Sequence, residues 1–159
     1  MISACSSSRR ARAAAVAPPY SSANDPVNVA AFVAQNDRSG FSPLVTPAGL
    51  RAELAGAEPP VVVDVRTAKE FGAGHLPGAV NVPVDDLRDE SVRAGYIRPL
   101  RGRRVIVYCK GGFRGHLAVR ILKEQGITDV ANVTGGWTSM RLEGELPVAR
   151  AEEAALAAH

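Results

Sequence analysis

The sequence predicts an α/β fold in which helices cover both faces of a parallel sheet, and three observations lead to it. Short apolar runs alternate with amphipathic segments along most of the chain, as in successive strand-helix-strand units. The clearest run, residues 61–65 (VVVDV), is continuous rather than alternating, which is typical of a strand buried on both faces. With 159 residues, 46% of them hydrophobic, the chain can bury one core but not two.

Two segments precede the predicted sheet. Residues 1–16 are rich in Ser, Ala and Arg and contain no acidic residue, which is the composition of an organellar transit peptide or of a disordered tail. Residues 17–43 are predicted to form a short helix and a linker, with Asp25 as the N-cap and Pro26 at the first helical position. One face of that helix carries the apolar residues Val29, Phe32 and Val33.

The predicted globular domain covers residues 44–147, and residues 148–159 form a C-terminal tail rich in Ala and Glu. The predicted strands are 44–45, 61–65, 79–82, 105–108 and 130–133. The predicted helices run from the Thr46-Pro47 cap to about Leu54, from the capping box at Thr67 to Gly72 or Gly74, over 85–92, over 115–125, and onward from Gly135-Gly136-Trp137.

The charge distribution gives no indication of a nucleic-acid partner. Lys and Arg number 19 against 16 for Asp and Glu, and the three arginines at positions 9, 10 and 12 account for the surplus. The basic cluster of Arg98, Arg101, Arg103 and Arg104 is interpreted as a solvated face at the start of a strand. No apolar run is long enough to cross a bilayer. We therefore expect a soluble protein without a membrane partner, in the cytoplasm unless residues 1–16 direct it to a mitochondrion or plastid.

Cys109 is the candidate nucleophile. It follows the apolar run 105–108 and opens a glycine-rich turn that leads into an amphipathic helix. The N–H groups of such a turn and the positive end of the helix dipole face the sulfur, and Lys110 and Arg114 add positive charge, so the thiolate is favoured. The alternative is a buried structural cysteine.

Cys5, the only other cysteine, lies in the Ser-rich start of the chain, so no disulfide framework is expected. No His and Cys cluster has metal-ligand spacing, so no metal is expected.

Four motifs, in order and in register across about residues 44–146, resemble the rhodanese (sulfurtransferase) domain family. They are Asp64-Val65-Arg66, Gly74-His75-Leu76-Pro77-Gly78-Ala79, Tyr108-Cys109 within a C-x-x-G-x-R pattern, and Gly135-Gly136-Trp137. The resemblance implies a five-stranded parallel sheet with helices on both faces. It also implies that Cys109, cradled by its own loop, carries a sulfane sulfur as a persulfide.

The length of the loop separates two chemistries. Related phosphatases of the cell-cycle dual-specificity type place an arginine six positions after the cysteine, whereas Arg114 lies five positions after Cys109. The tighter loop is expected to wrap one sulfur atom, with N–H groups from about Gly111 to Gly115 directed at the outer sulfur, and glycine allows this close approach. The candidate substrate-binding residues are Lys110, Gly111, Gly112, Phe113, Arg114 and Gly115. Many rhodaneses carry Ser or Thr where Gly115 stands, so turnover with thiosulfate is expected to be poor.

A second, narrower resemblance is to coenzyme A disulfide reductases that carry a C-terminal rhodanese domain. Residues 18–28 look like the end of the dimerisation domain of those flavoproteins, and residues 109–122 look like their rhodanese loop and helix, including Gly115. No strand in this chain is followed by G-x-G-x-x-G, so no FAD or NAD(P)H site, and no cofactor, is expected. A flavoprotein reductase is accordingly a candidate partner.

The family resemblance implies a sulfurtransferase that moves sulfur from thiosulfate or a low-molecular-weight persulfide to a thiol or protein-cysteine acceptor. The alternative is a non-catalytic or carrier module that docks on a flavoprotein reductase. Asp64 and Arg66 either form a structural ion pair or help to fix the active loop. Three further side chains, His75, His116 and Trp137, are interpreted as packing residues. His116 is close enough to the cysteine along the chain to be considered also for substrate contact.

Overall fold

The computed structural model describes residues 26–144 and 146–150, and within them the chain forms a five-stranded parallel sheet. The strands are β1 (Leu44–Val45), β2 (Val61–Asp64), β3 (Val80–Asn81), β4 (Val105–Tyr108) and β5 (Val130–Val133). Their order in the sheet is β1-β5-β4-β2-β3, and every neighbouring pair is parallel. The predicted fold class is therefore confirmed.

The helices described are α1 (Pro26–Arg38), α2 (Pro47–Leu54), α3 (Ala68–Gly72), α4 (Glu90–Val92), α5 (Phe113–Glu124) and α6 (Gly136–Glu143). Two predicted starts are confirmed by their caps. The Thr46 hydroxyl accepts from the Gly49 N–H at 3.0 Å, and Thr67 forms a capping box with Glu70. Residues 1–16, Cys5, Asp25 and positions 151–159 of the predicted tail lie outside the described residues.

The prediction of one continuous helix over 85–92 is wrong. A 3₁₀ turn covers Asp86–Arg88, and the chain is then extended at Asp89 (ψ 132°) before α4 begins. The Asp89 carboxylate accepts from the N–H groups of Ser91 and Val92, so it caps a new helix instead of continuing the old one. Short polar side chains compete with helical hydrogen bonds in this way.

The two faces of the sheet bury two apolar clusters. Side chains of β4 alternate between them, so that Val105, Val107 and Cys109 meet α5 on one face while Ile106 and Tyr108 meet α2 and α6 on the other. All four residues of β4 are fully buried, in agreement with a central strand covered on both sides. Cys109 thus leaves the sheet from its most buried strand.

The parallel arrangement brings the carboxyl ends of the strands to one edge. Asp64 pairs with Tyr108 across β2 and β4, and Val107 pairs with Asn132 across β4 and β5. The segments that follow these strands therefore meet above the same edge, which is where open parallel sheets bind ligands.

Segments at both ends of the described chain are attached to the sheet domain. The Asp37 carboxylate near the end of α1 accepts from the Leu44 N–H at 2.9 Å, and the backbone of Ala149 pairs with that of His75 in an antiparallel bridge. None of the helices in residues 26–144 is long and apolar enough to span a bilayer.

Candidate active site

Cys109 sits directly after β4 at the carboxyl edge of the sheet and is 2% exposed. The Gly112 N–H donates to its Sγ at 3.0 Å. This contact closes the turn between the strand and α5, and it places a hydrogen-bond donor where negative charge on sulfur needs one. The structure therefore brings together Cys109 and Gly112, two of the predicted site residues.

The start of α5 supplies further positive potential beside the sulfur. Gly112 caps the helix with φ 109°, a conformation that favours glycine, and Phe113, Arg114 and Gly115 form the first helical positions. The N–H groups of the first turn of a helix have no acceptor within the helix. Together with the helix dipole they favour an anion at this end.

The carbonyl side of the loop is held by the start of α6. The Trp137 N–H donates to the Cys109 carbonyl at 2.7 Å, and both the N–H and the hydroxyl of Thr138 donate to the Lys110 carbonyl at 3.0 Å. A Cβ on Gly136 would lie 2.3 Å from the Cys109 carbonyl oxygen, so only glycine permits this approach. The Gly135-Gly136-Trp137 motif therefore positions the loop that begins at Cys109.

Asn132 is a site residue that the sequence analysis did not identify. Its side chain is 3% exposed and donates through Nδ2 to the Gly112 carbonyl at 3.0 Å. Its Oδ1 would lie 2.0 Å from a Cβ on Gly115, so Asn132 occupies the space that a larger side chain at 115 requires. A lone asparagine within the buried strand Val-Ala-Asn-Val was the available signal.

Arg114 is paired with Glu70, the residue that also completes the capping box of α3. Two guanidinium nitrogens of Arg114 each donate to one carboxylate oxygen of Glu70 at 2.8 Å. Both side chains are 30% exposed, and the Arg114 guanidinium lowers the pKa of Glu70 to about 2. The positive charge of Arg114 is therefore largely balanced by the Glu70 carboxylate. Lys110, in contrast, is exposed.

Asp64 and Arg66 form a buried ion pair between the carboxyl end of β2 and the first turn of α6. The Arg66 guanidinium binds the Asp64 carboxylate at 2.6 Å and also donates to the Gly74 carbonyl at 2.8 Å. It stacks 4.6 Å from the centre of the Trp137 ring. The pair consequently holds the turn at Gly74 and the start of α6, and Arg66 also lies 5.4 Å from the centre of the ring of Tyr108, the residue before Cys109.

The two histidines named in the sequence analysis differ in position. His75 places Nδ1 2.9 Å from the Phe71 carbonyl and stacks on the Phe71 ring with the centroids 3.7 Å apart, in the manner of a packing residue. His116 lies one turn into α5 and lines a pocket beside the active loop. Burial and the nearby Arg120 lower the pKa of His116, which favours its neutral form.

The pocket beside the loop has a volume of about 350 Å³. Its walls come from α1, from the residues before β1, from the active loop and the start of α5, and from the end of β5 with the turn that follows. The lining residues are Val29, Phe32, Val33, Asn36, Ser42, Leu44, Gly111, Gly112, Phe113, His116, Asn132, Thr134 and Gly135. The apolar face predicted for the N-terminal helix thus lines the same pocket as Gly111 and Gly112 of the loop that follows Cys109.

The chain is similar in sequence to known proteins that contain a rhodanese-like domain. Residues 46–143 match the family model described as Rhodanese-like domain. The chain is 34% identical over 77 residues to a tRNA uridine(34) hydroxylase of Buchnera aphidicola, covering 48% of this chain and 25% of the relative. It is 38% identical over 86 residues to the adenylyltransferase and sulfurtransferase UBA4 of Candida glabrata, covering 48% and 19%. The chain therefore spans a quarter or less of the length of these relatives.

A solved structure resembles a larger part of the chain. The crystal structure of reduced CoADR-RHD of Bacillus anthracis, a coenzyme A disulfide reductase with a rhodanese domain, superposes with a TM-score of 0.65 at 32% identity. The match covers 82% of this chain and 22% of that protein. The similarity to a reductase-linked domain expected from the sequence is therefore confirmed.

Proposed function

The chain belongs to the rhodanese-like domain family, and from this premise we propose that it is a sulfurtransferase that carries a sulfane sulfur as a persulfide on Cys109. The observation that carries the proposal is the position of the cysteine. Its Sγ receives the Gly112 N–H at 3.0 Å at the start of α5, where an anion is stabilised. Sulfurtransferase relatives support the general class of activity.

The proposed reaction has two displacements. In the first, the Cys109 thiolate attacks the outer sulfur of thiosulfate or of a low-molecular-weight persulfide. A new S–S bond forms, the S–S bond of the donor breaks, and sulfite or a thiolate leaves with the electron pair. In the second, an acceptor thiolate attacks the outer sulfur of the Cys109 persulfide, and the Cys109 thiolate is regenerated. No net oxidant or reductant is consumed.

The loop residues have separable roles in this reaction. The N–H groups of Gly112 and of the first turn of α5 stabilise negative charge on the two sulfur atoms. Lys110 and Arg114 attract an anionic donor, although the pairing of Arg114 with Glu70 reduces the charge that Arg114 offers. Because the loop has one residue fewer than a phosphatase loop, a phosphoryl group is excluded and an aryl phosphate is not expected to be hydrolysed.

Intact-mass measurement tests the proposal. After incubation with thiosulfate or glutathione persulfide, the protein is expected to gain one sulfur atom, which a thiol then removes. Cys109→Ser abolishes this gain, whereas Cys5→Ser, the matched control, retains it. An unchanged mass with every donor, or hydrolysis of an aryl phosphate that depends on Cys109, contradicts the proposal.

A second candidate is a carrier module for a flavoprotein reductase, supported by the likeness to the coenzyme A disulfide reductase domain over 82% of the chain. In this case the persulfide forms but is released to free thiols slowly, and a purified flavoprotein persulfide reductase accelerates the release. Single-turnover rates with and without such a reductase distinguish the two candidates.

A further inference from the structure

We propose that the pocket beside the active loop binds the arm of an organic thiol or persulfide, and that it selects arms that are uncharged and mainly apolar. The inference rests on the proposed sulfur transfer and names the substrate class for it. Cys109 does not itself line the pocket, but Gly111 and Gly112 of its loop do. In this arrangement the arm lies against α1, and its sulfur reaches Cys109 past these two glycines.

The walls of the pocket are predominantly apolar and belong to both α1 and the active loop. Val29, Phe32 and Val33 face the pocket from α1, and Phe113 faces it from the start of α5. Phe32 and Phe113 are 55% and 74% exposed, so they present aromatic surface that a ligand can cover. The volume of about 350 Å³ lies within the range of small-molecule sites and leaves most of the pocket unused by an inorganic anion.

The pocket carries no formal charge among the described residues that line it. None of them is Lys, Arg, Asp or Glu, and burial and Arg120 favour the neutral form of His116 by lowering its pKa. Arg114 does not line the pocket and is bound to Glu70. Away from the N–H groups of the loop, a charged arm would lose hydration without gaining a side chain of opposite charge, whereas an uncharged arm gains by burial.

Two unpartnered polar groups lie behind the pocket wall. The Ser42 hydroxyl and Asn132 Oδ1 have no hydrogen-bond partner among the described residues, and both residues line the pocket. The two residues are only 2% and 3% exposed, and the oxygen atoms themselves are buried. These oxygen atoms therefore add no polar surface to the wall that the arm meets.

The wall that creates this selectivity lies outside the matched domain. The family model covers residues 46–143, while α1 spans Pro26–Arg38. The chemistry of the loop and the choice of substrate therefore depend on different parts of the chain. A substitution on α1 is expected to change the preference between thiols without preventing formation of the persulfide.

The test compares two acceptor thiols of similar basicity, benzyl mercaptan and 2-mercaptoethanesulfonate. Protein carrying the Cys109 persulfide, verified by intact mass, is mixed with each thiol and the single-turnover rate is measured. The wild type is expected to prefer benzyl mercaptan.

Phe32→Ala is expected to lower the rate with benzyl mercaptan about tenfold, which is the smaller end of the cost of losing an apolar contact. Phe32→Lys raises the sulfonate rate relative to the benzyl rate. Leu142→Ala, at an 82% exposed position on α6, is the matched control.

Equilibrium binding of benzyl methyl sulfide to Cys109→Ser separates the pocket from the chemistry. Saturable binding that Phe32→Lys weakens supports the assignment of the pocket even without turnover. Equal rates for the two thiols in the wild type, or a rate ratio that is the same in both Phe32 variants and in Leu142→Ala, overturns the selectivity. Failure of the persulfide to form contradicts the sulfurtransferase proposal instead, and the intact mass reveals it before any acceptor is added.

Discussion

Gly115 and Asn132 are expected to behave as a coupled pair. A side chain at position 115 requires Asn132 to move, because the Cβ would lie 2.0 Å from Oδ1 and ordinary contact begins at 3.4 Å. A shift of that size breaks the hydrogen bond from Asn132 Nδ2 to the Gly112 carbonyl. Gly115→Ser, which installs the hydroxyl common in other rhodaneses, should therefore destabilise this chain.

The magnitude follows from two contributions. Overpacking in a buried site costs about 1–3 kcal/mol, and loss of the hydrogen bond to Gly112 costs about 1 kcal/mol. The better helix propensity of Ser over Gly returns about 0.5 kcal/mol. Gly115→Ser should thus lower the free energy of unfolding by about 1.5–3.5 kcal/mol. On an Asn132→Ala background the overpacking disappears, and the same substitution should cost less than about 1 kcal/mol.

Denaturant unfolding of the wild type, the two single variants and the double variant measures this coupling. Gly95→Ser is the matched control, since nothing lies within 4 Å of a Cβ at that position. The interaction free energy between positions 115 and 132 should be at least about 1 kcal/mol. If the effects of Gly115→Ser and Asn132→Ala add to within about 0.5 kcal/mol, the two residues are independent and the reasoning is refuted.

Two further predictions concern ion pairs. Arg66→Ala leaves the Asp64 carboxylate buried without its partner and should lower the free energy of unfolding by about 3–5 kcal/mol, whereas Arg114→Ala, whose pair is 30% exposed, should cost at most about 1 kcal/mol. Equal losses in the two variants would contradict the assignment. Because the pKa of Glu70 is lowered from 4.5 to about 2, its contribution to stability is present above about pH 5 and is lost as the pH falls towards 2. The difference in unfolding free energy between the wild type and Glu70→Gln should therefore shrink over that range, and a pH-independent difference would refute the assignment.

Most of the fold could be predicted because its signals are local. Continuous apolar runs mark strands buried on both faces, and threonine caps mark the starts of α2 and α3. The helix expected over 85–92 failed because Asp89 has two compatible roles, as a residue within a helix and as the cap of the next one. Which role Asp89 takes depends on the path by which the chain returns to the sheet, and the local sequence carries no information on that path.

The candidate site was only partly predictable for a similar reason. Cys109 and its glycines are recognisable from their order along the chain. Glu70 lies 44 positions from Arg114, and its local role in a capping box concealed the long-range pair. The apolar face of α1 was recognisable from the sequence, but its position on a pocket beside the active loop was not. These contacts depend on tertiary packing rather than on sequence pattern.

The hydrogen bonds from α6 to the loop that begins at Cys109 have a consequence for the order in which the site forms during synthesis. Trp137 and Thr138 hold the carbonyl groups of Cys109 and Lys110, so the loop acquires its final shape only after residues made later have folded against it. While the chain is still emerging from the ribosome, these two carbonyl groups lack their partners and the loop is not yet held in place. If Cys109 carries sulfur as proposed, specific sulfur loading should therefore begin only when α6 has docked.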